Sequence, residues 1–434
     1  MNVLGFILLA LFSGVILCGS RRLAVLAVFA SVCYVTQGQA VTVAGFNFFA
    51  HRIILLAGFI RIVARGELRA VRFNRIDWIM LICAIISTIV PIIRLGVWKE
   101  QVGGAYNVLL AYFLFRCLVR DLEEVEQLLP KLAILILPLA LCMTFESLTK
   151  TNPFNIMGGQ LSGWERAGRL RCFGSFRSPH TVGIFGATLM PLFIWLFLRR
   201  PLRGVAIAGL IGASVITYTS NSSDPLMAYL SGLVGLAFWP LRKNMRRVRW
   251  GIVVLLVVLA FSMKAPIWYL MSKVSDITGG DGWYRSYLME QCFNHMSDWW
   301  LLGTENTGEW AVTHMWWGGV DLCNMYVSSA AGGGLAELVL FILMLVWCFS
   351  ALGKALKKTE ETLPQSAELL WCFGSVLFAH VCAFFSNTYH DQLFVIWWGF
   401  LAMISSVTSS ILTQADAGEE LEPAAETASE ELPA

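Results

Sequence analysis

Long apolar runs, broken by short polar connectors, follow one another along nearly the whole chain. They fall at 3–18, 23–43, 45–63, 77–93, 105–119, 129–148, 180–198, 204–219, 225–240, 250–270, 326–350, 367–386 and 391–411. A helix rises ~1.5 Å per residue and the hydrocarbon core is ~30 Å thick, so ~20 apolar residues make one span. The pattern predicts an all-α fold, a polytopic transmembrane helical bundle of about 12–13 spans filling residues 1–411. The first run has no basic residue ahead of it and is followed at once by others, so it reads as a retained helix, not a cleaved signal peptide. Two polar stretches, 149–179 and 272–325, interrupt the rhythm most. The end of the chain, 412–434, is rich in Glu, Ala and Pro and reads as a disordered acidic tail.

Composition agrees with the pattern. The chain of 434 residues is 57% hydrophobic and 14% charged, against about 25% charged in an ordinary soluble domain. The net charge of +3 says little, but its distribution says more. Alternate connectors hold most of the 32 Lys and Arg residues: Arg21 and Arg22, Arg61 to Arg75, Arg116 and Arg120, Arg199 to Arg203, Arg242 to Arg249, and Lys354 to Lys358. Positive residues concentrate on cytoplasmic loops. That places these connectors and the C-terminal tail inside, and the N-terminus and both long polar stretches on the outer face.

Against that bias, the first outer stretch carries Arg166, Arg169, Arg171 and Arg177. A guanidinium stays charged and offers forked donors that match phosphate oxygens. Arg169, Arg171 and Arg177 lie just before Pro179, which suits the first turn of a helix. Helix N-termini favour anions too, so the three could cradle a diphosphate; solvated, incidental arginines are the bland alternative. His180 follows Pro179 and reads as a supporting or merely interfacial residue. The short polar turn 219–225 is given a supporting role at most. In the second stretch stand Arg285, His295, His314, Asp321 and Asn324 amid a dense set of Trp residues. Trp residues are common at membrane interfaces, although a sugar groove also uses such rings. His390 and Asp391 lie in a third outer connector, where they join the site or cap a turn. No Gly-Lys-Ser/Thr phosphate loop, Gly-x-Ser-x-Gly, or His/Cys pairing of metal-site spacing occurs. Neither a metal nor another cofactor is expected.

These outer stretches resemble the O-antigen ligase and O-antigen polymerase superfamily of bacterial polysaccharide assembly. Arg171-Cys-Phe-Gly174-Ser-Phe-Arg-Ser-Pro179 is similar to that family's Arg-x-x-Gly-Ser/Thr-Phe-x-x-Pro before a span. His295-Met-Ser-Asp-Trp-Trp-Leu-Leu-Gly303 looks like a stretched His-Pro-Leu-Leu-Gly, and Asn324 followed by Gly334 fits a His-Asn-x9-Gly pattern. The likeness covers about 160–345 and the hydropathy profile. Two departures stand out. Cys323 occupies the place of the family histidine taken to be the base on the acceptor hydroxyl, and Ser223-Asp224 replaces a frequent Ser-Arg. The first departure leans towards the polymerase branch, with Asp321 or His314 as replacement for the lost histidine.

What the resemblance implies is a multi-pass protein of the bacterial inner membrane acting on the periplasmic side. It would join polyprenyl-diphosphate-linked oligosaccharides into a surface polysaccharide or exopolysaccharide without a metal. Arg169, Arg171, Arg177 and Arg285 are the expected diphosphate ligands. Asp321, His295 and Asn324 are the expected catalytic residues, with His180, His314 and Asp391 in support. Membrane lipid and other polysaccharide-assembly proteins are the further partners expected, and nucleic acid is not. The competing expectations are ligase-type transfer to a lipid acceptor, a lipid-linked glycan flippase or transporter, and a non-catalytic assembly partner.

Overall fold

In hydrocarbon every backbone N–H and C=O must be satisfied within the segment, which forces the apolar runs into helices. The computed structural model describes all residues except 44–45, 97, 167, 274–281, 311–319, 361–362 and 431–434, and no side chains for 43, 46, 166 and 415–430. The described helices are α1 (Val3–Cys18), α2 (Arg21–Tyr34), α3 (Ala50–Ala64), α4 (Arg75–Leu95), α5 (Lys99–Leu118), α6 (Leu122–Leu135), α7 (Leu137–Thr149) and α8 (Pro179–Leu198). They continue with α9 (Arg203–Thr219), α10 (Ser223–Ala237), α11 (Met245–Ser262), α12 (Gly282–Asn294), the single turn α13 (Met296–Trp299), α14 (Met325–Thr359), α15 (Pro364–Ala383) and α16 (Asp391–Glu430). Two small antiparallel hairpins complete the fold: β1 (Ala40–Val43) with β2 (Phe46–Phe49), and β3 (Trp164–Arg166) with β4 (Arg169–Arg171).

The protein is an all-α, polytopic helical membrane protein with fewer full-length spans than its hydropathy predicts. Among the described residues, seven helical segments are long and apolar enough to cross a membrane, or eight if a pair bent by 99° near residue 262 counts as one span. The expected 12–13 is not reached because α1, α2, α3 and α10 have only 16, 14, 15 and 15 residues, against the ~20 of a perpendicular span. Beyond its membrane-length part, α16 continues as backbone helix to Glu430. Ala and Glu, frequent in that segment, are strong helix formers.

Helix α8 is the axis of the bundle. Of its apolar window, 83% is buried within the protein, and it packs against α9, α10, α15 and α16. Gly183 and Gly186 admit those neighbours: a methyl group at Gly186 would lie 2.9 Å from the Ala213 carbonyl of α9. At the end of the bundle bearing Arg75, a buried ionic knot ties α4, α5 and α16 together. Asp77 accepts hydrogen bonds from Tyr112 Oη at 2.6 Å, Ser405 Oγ at 2.8 Å and Arg116 Nε at 3.0 Å. A charge so deep is tolerated only when paired and fully hydrogen-bonded.

Helix α14 is broken near one end, at Gly333 and Gly334, where φ/ψ of 74°/−165° at Gly334 is open only to glycine. That break and the two polar stretches lie where the candidate site is built.

Candidate functional site

The described residues of 149–178 are pinned to the bundle at several points. Helix α7 ends on Lys150 in the left-handed conformation. Asn152 then caps a 3-10 turn through the Phe154 amide at 2.9 Å and donates to the Gly174 carbonyl at 2.9 Å. Glu146, fully buried near the end of α7, accepts the backbone N–H groups of Phe173 at 3.0 Å and Gly174 at 2.9 Å. Gly174 itself has φ +56°, and a methyl group there would press on Leu139 and Met143. Cys172 N–H donates to the Thr219 carbonyl at 3.1 Å. These contacts fix the end of β4, and with it Arg171, against the end of α9.

From there Arg171 points into a cluster drawn from four separate elements. Its Nη2 donates to His180 Nε2 at 2.9 Å and to Ser222 Oγ at 3.2 Å. His180 stands in the first turn of α8, and its Nδ1 is 2.7 Å from Asp224 Oδ2 and 2.8 Å from Ser222 Oγ. Asp224, in the first turn of α10, also holds Arg285 Nη2 of α12 at 2.5 Å from Oδ1. The Asp224 side chain is 1% exposed, that of Arg285 11%, and that of His180 28%, so the imidazole forms the open edge of the cluster. Burial pushes the Asp224 carboxyl up. The His180 hydrogen bond and the positive charges of Arg285 and Arg171 outweigh that and hold it below the usual carboxylate range.

The arrangement can bind an anion. Two guanidinium groups, one carboxylate and an imidazole meet in a largely dehydrated place. There the charge-assisted hydrogen bonds of a phosphate-like group are strongest.

Several expected residues take other places. Arg169 is exposed at the outer end of the β3–β4 hairpin. Arg177, with 66% of its side chain exposed, lies 4.0 Å from Asp391 Oδ2, and Asp391 opens α16 with a φ of +53°. Asn324 is fully buried as the N-cap of α14. Its Oδ1 accepts from Tyr326 and Val327 N–H at 3.0 and 3.2 Å and its Nδ2 donates to the Phe385 carbonyl at 3.2 Å, which uses the amide to hold the helix end. His295 stacks on Trp310 with ring centroids 6.0 Å apart, and its Nε2 has no hydrogen-bond partner among the described residues. His314 lies outside the described residues. Asp321 is exposed, and Tyr284 Oη donates to its carbonyl at 3.3 Å.

Cys323, in the position where the resemblance expects a histidine, feels the charges of Asp321, Arg285 and Asp224 and so sits beside the cluster. Burial foremost, helped by Asp321 and opposed by Arg285, pushes its thiol up to about 12. At neutral pH it is a thiol and no base.

Two groups at the centre, Asp224 and Ser222, are missed by sequence reading, which treats 219–225 as an accessory turn. The available signal was the acid at Asp224 where the resembling family often carries an arginine.

The glycines of the second stretch have a separate task. The backbone of 299–303 docks into the break of α14: Leu335 N–H donates to the Trp300 carbonyl at 2.9 Å and Thr304 N–H to the Ala331 carbonyl at 2.8 Å. Arg94 Nη1 staples the joint by donating to the Leu302 carbonyl at 2.7 Å and the Ala331 carbonyl at 3.1 Å. A methyl group on Gly303 would collide with the Ala331 carbonyl, and one on Gly334 would lie 2.6 Å from the Leu301 carbonyl.

No protein-family model matches this chain, and no curated protein matches it.

Proposed function

We propose that this protein is a bacterial inner-membrane glycosyltransferase that joins polyprenyl-diphosphate-linked glycan units on the periplasmic side, extending a surface polysaccharide or exopolysaccharide. The observation that carries the reading is the meeting of Arg171 and Arg285, from two distant polar stretches, on the His180–Asp224 pair. Both arginines oppose the positive-inside distribution. Their forked donors match the oxygens of a lipid diphosphate. As the glycosyl bond to phosphate breaks, charge grows on the diphosphate, and fixed guanidinium donors lower that barrier without a metal.

The finer features of this reading follow the sequence. They are an N-terminus in the periplasm, a cytoplasmic C-terminus, a periplasmic face formed by the long polar stretches, and the shorter helices acting as tilted or partial spans. Likeness to the O-antigen polymerase and ligase superfamily supports the reaction class, and Cys323 supports the polymerase side of it.

A flippase is the second reading, favoured by Glu337. It lies on α14 beside the helix break, with one carboxylate oxygen buried and without a hydrogen-bond partner among the described residues. Intramembrane acids beside broken helices mark transport sites. Here, however, the break is filled by the 299–303 backbone and Arg94, which favours transfer.

Full-length protein in nanodiscs, given lipid-linked oligosaccharide and no nucleotide, separates the readings. Longer lipid-linked chains are the expected product, and Arg171→Ala and Arg285→Ala should each lower their formation at least ~100-fold, the scale of a lost transition-state donor. Undiminished chain growth in both variants sinks the proposal. Relocation of the lipid across a vesicle bilayer, with no growth, would establish the flippase instead.

A further inference from the structure

We propose that His180, oriented by Asp224, is the general base that takes the proton from the acceptor hydroxyl. This inference rests on the glycosyl-transfer reading above and adds the residue that the sequence leaves unassigned.

The geometry is that of an oriented imidazole. Asp224 is buried and ionised, and its Oδ2 lies 2.7 Å from His180 Nδ1. The tautomer with its proton on Nδ1 sets that proton beside the Asp224 charge and Ser222 Oγ, 2.8 Å away, and leaves Nε2 with its lone pair. With 28% of its side chain exposed, His180 is the more accessible member of the His180–Asp224 pair. The other groups expected to serve are placed less well. Cys323 is a neutral thiol. Asp321 is exposed and is contacted at its backbone carbonyl by Tyr284. The ring of His295 is stacked on Trp310.

In the ligand-free state Arg171 Nη2 donates to Nε2 at 2.9 Å and so guards it. The same guanidinium is the diphosphate ligand. When the lipid-linked donor binds, Arg171 moves its hydrogen bonds to phosphate oxygens, and Nε2 is released for the acceptor. Donor binding therefore precedes formation of a competent base, which suppresses proton transfer at an empty site.

The step balances as follows. The acceptor oxygen attacks the anomeric carbon while its proton passes to Nε2. The bond from that carbon to the phosphate oxygen breaks, and its electron pair leaves with the diphosphate held by Arg171 and Arg285. The imidazolium, stabilised by Asp224, later yields its proton to water or to the departing diphosphate. The charged and titratable groups facing His180 are Arg171 from β4, Asp224 from α10 and, through Asp224, Arg285 from α12 and Cys323 ahead of α14. Arg177 precedes it in the same loop, paired with Asp391 of α16.

The test measures turnover against pH in nanodiscs, with binding of undecaprenyl diphosphate as a second readout. His180→Ala should lose at least ~100-fold in turnover, the usual contribution of a positioned base, keep donor affinity within about threefold, and regain activity with added imidazole. His180→Gln guards against a folding defect and should be equally slow, with no alkaline rise in rate. In Asp224→Asn the inflection of that rise should move or vanish.

Turnover of His180→Ala or His180→Gln within threefold of wild type overturns the assignment and leaves the glycosyl-transfer reading standing. Inactive His180 variants that also lose the donor and ignore imidazole overturn it in favour of a structural role. A wild-type protein that binds undecaprenyl diphosphate but transfers nothing removes both readings together.

Discussion

Asp224 shows how much of the site turns on single charges. Its carboxylate is sealed from water, with His180 2.7 Å from one oxygen and Arg285 2.5 Å from the other. Removing one partner of such a pair strands the other, at a cost of about 3–5 kcal/mol. Arg285→Gln should therefore destabilise the protein as well as weaken anion binding, whereas the double change Asp224→Asn with Arg285→Gln should recover part of the stability without the activity. Thermal unfolding in detergent of the two singles and the double reads this as a coupling energy, and simple additivity would contradict it. The sign with pH follows from the lowered carboxyl. A group whose folded pKa is depressed stabilises above its unfolded value, near 3.9 for Asp, and loses that contribution as pH falls through the lower folded value. Asp224→Asn should accordingly flatten the acid end of the stability profile and leave the neutral region parallel to wild type. Sequence reading singled out Arg171 and Arg285 because arginines in long polar stretches between apolar runs are visible in one dimension. It did not reach Asp224, because a carboxylate in a polar turn gives no sign of partners that only folding brings to it.

At the scale of elements, the motif glycines are a docking joint. Gly303 and Gly334 both have positive φ, near +71° and +74°, and each brings one backbone against another's carbonyl. Alanine at Gly334 meets both the left-handed backbone and the Leu301 carbonyl, so Gly334→Ala should cost about 1–3 kcal/mol. It should also lower chain growth by loosening the 299–303 segment. Gly353, in the same helix with open space where its Cβ would stand, supplies the contrast: Gly353→Ala should be neutral or stabilising by up to about 1 kcal/mol. Unfolding temperatures of the two variants check the pair, and equal effects would mean that the joint carries no strain. The spacing from Asn324 to Gly334 was legible in the sequence, although what it serves was not. Asn324 reads as chemistry in a motif, and in the fold it is a helix cap whose amide is fully engaged. Helix lengths were the other loss. Hydropathy marks where apolar residues run, but the ends of α1, α2, α3 and α10 are set by caps and turns that shorten the helices below a full span.

For the molecule as a whole, the two ends of the bundle differ in how they handle charge, and that difference bears on orientation. One end closes its ions into complete sets: Asp77 with Arg116, Tyr112 and Ser405, and Arg61 with Glu67 and the Ile16 and Gly19 carbonyls. That end also carries most of the surplus arginines, as a cytoplasmic face should. The other end gathers Arg171 and Arg285 around one carboxylate and leaves an imidazole edge open. On the proposed topology this end faces the periplasm, and its paired guanidinium groups offer the forked donors that a diphosphate-bearing lipid would use. The orientation can be tested without any substrate. Alkaline phosphatase folds only outside the cytoplasm and green fluorescent protein matures inside. An insertion at the exposed Leu161 should therefore give phosphatase activity, and a fluorescent protein fused after Ala434 should glow. The reverse pattern would invert the chain, move the arginine pair to the face where donors are soluble nucleotides, and end the periplasmic reading. The expected pattern would leave an outward-facing anion site beside an oriented histidine, the minimum that transfer from a lipid diphosphate requires.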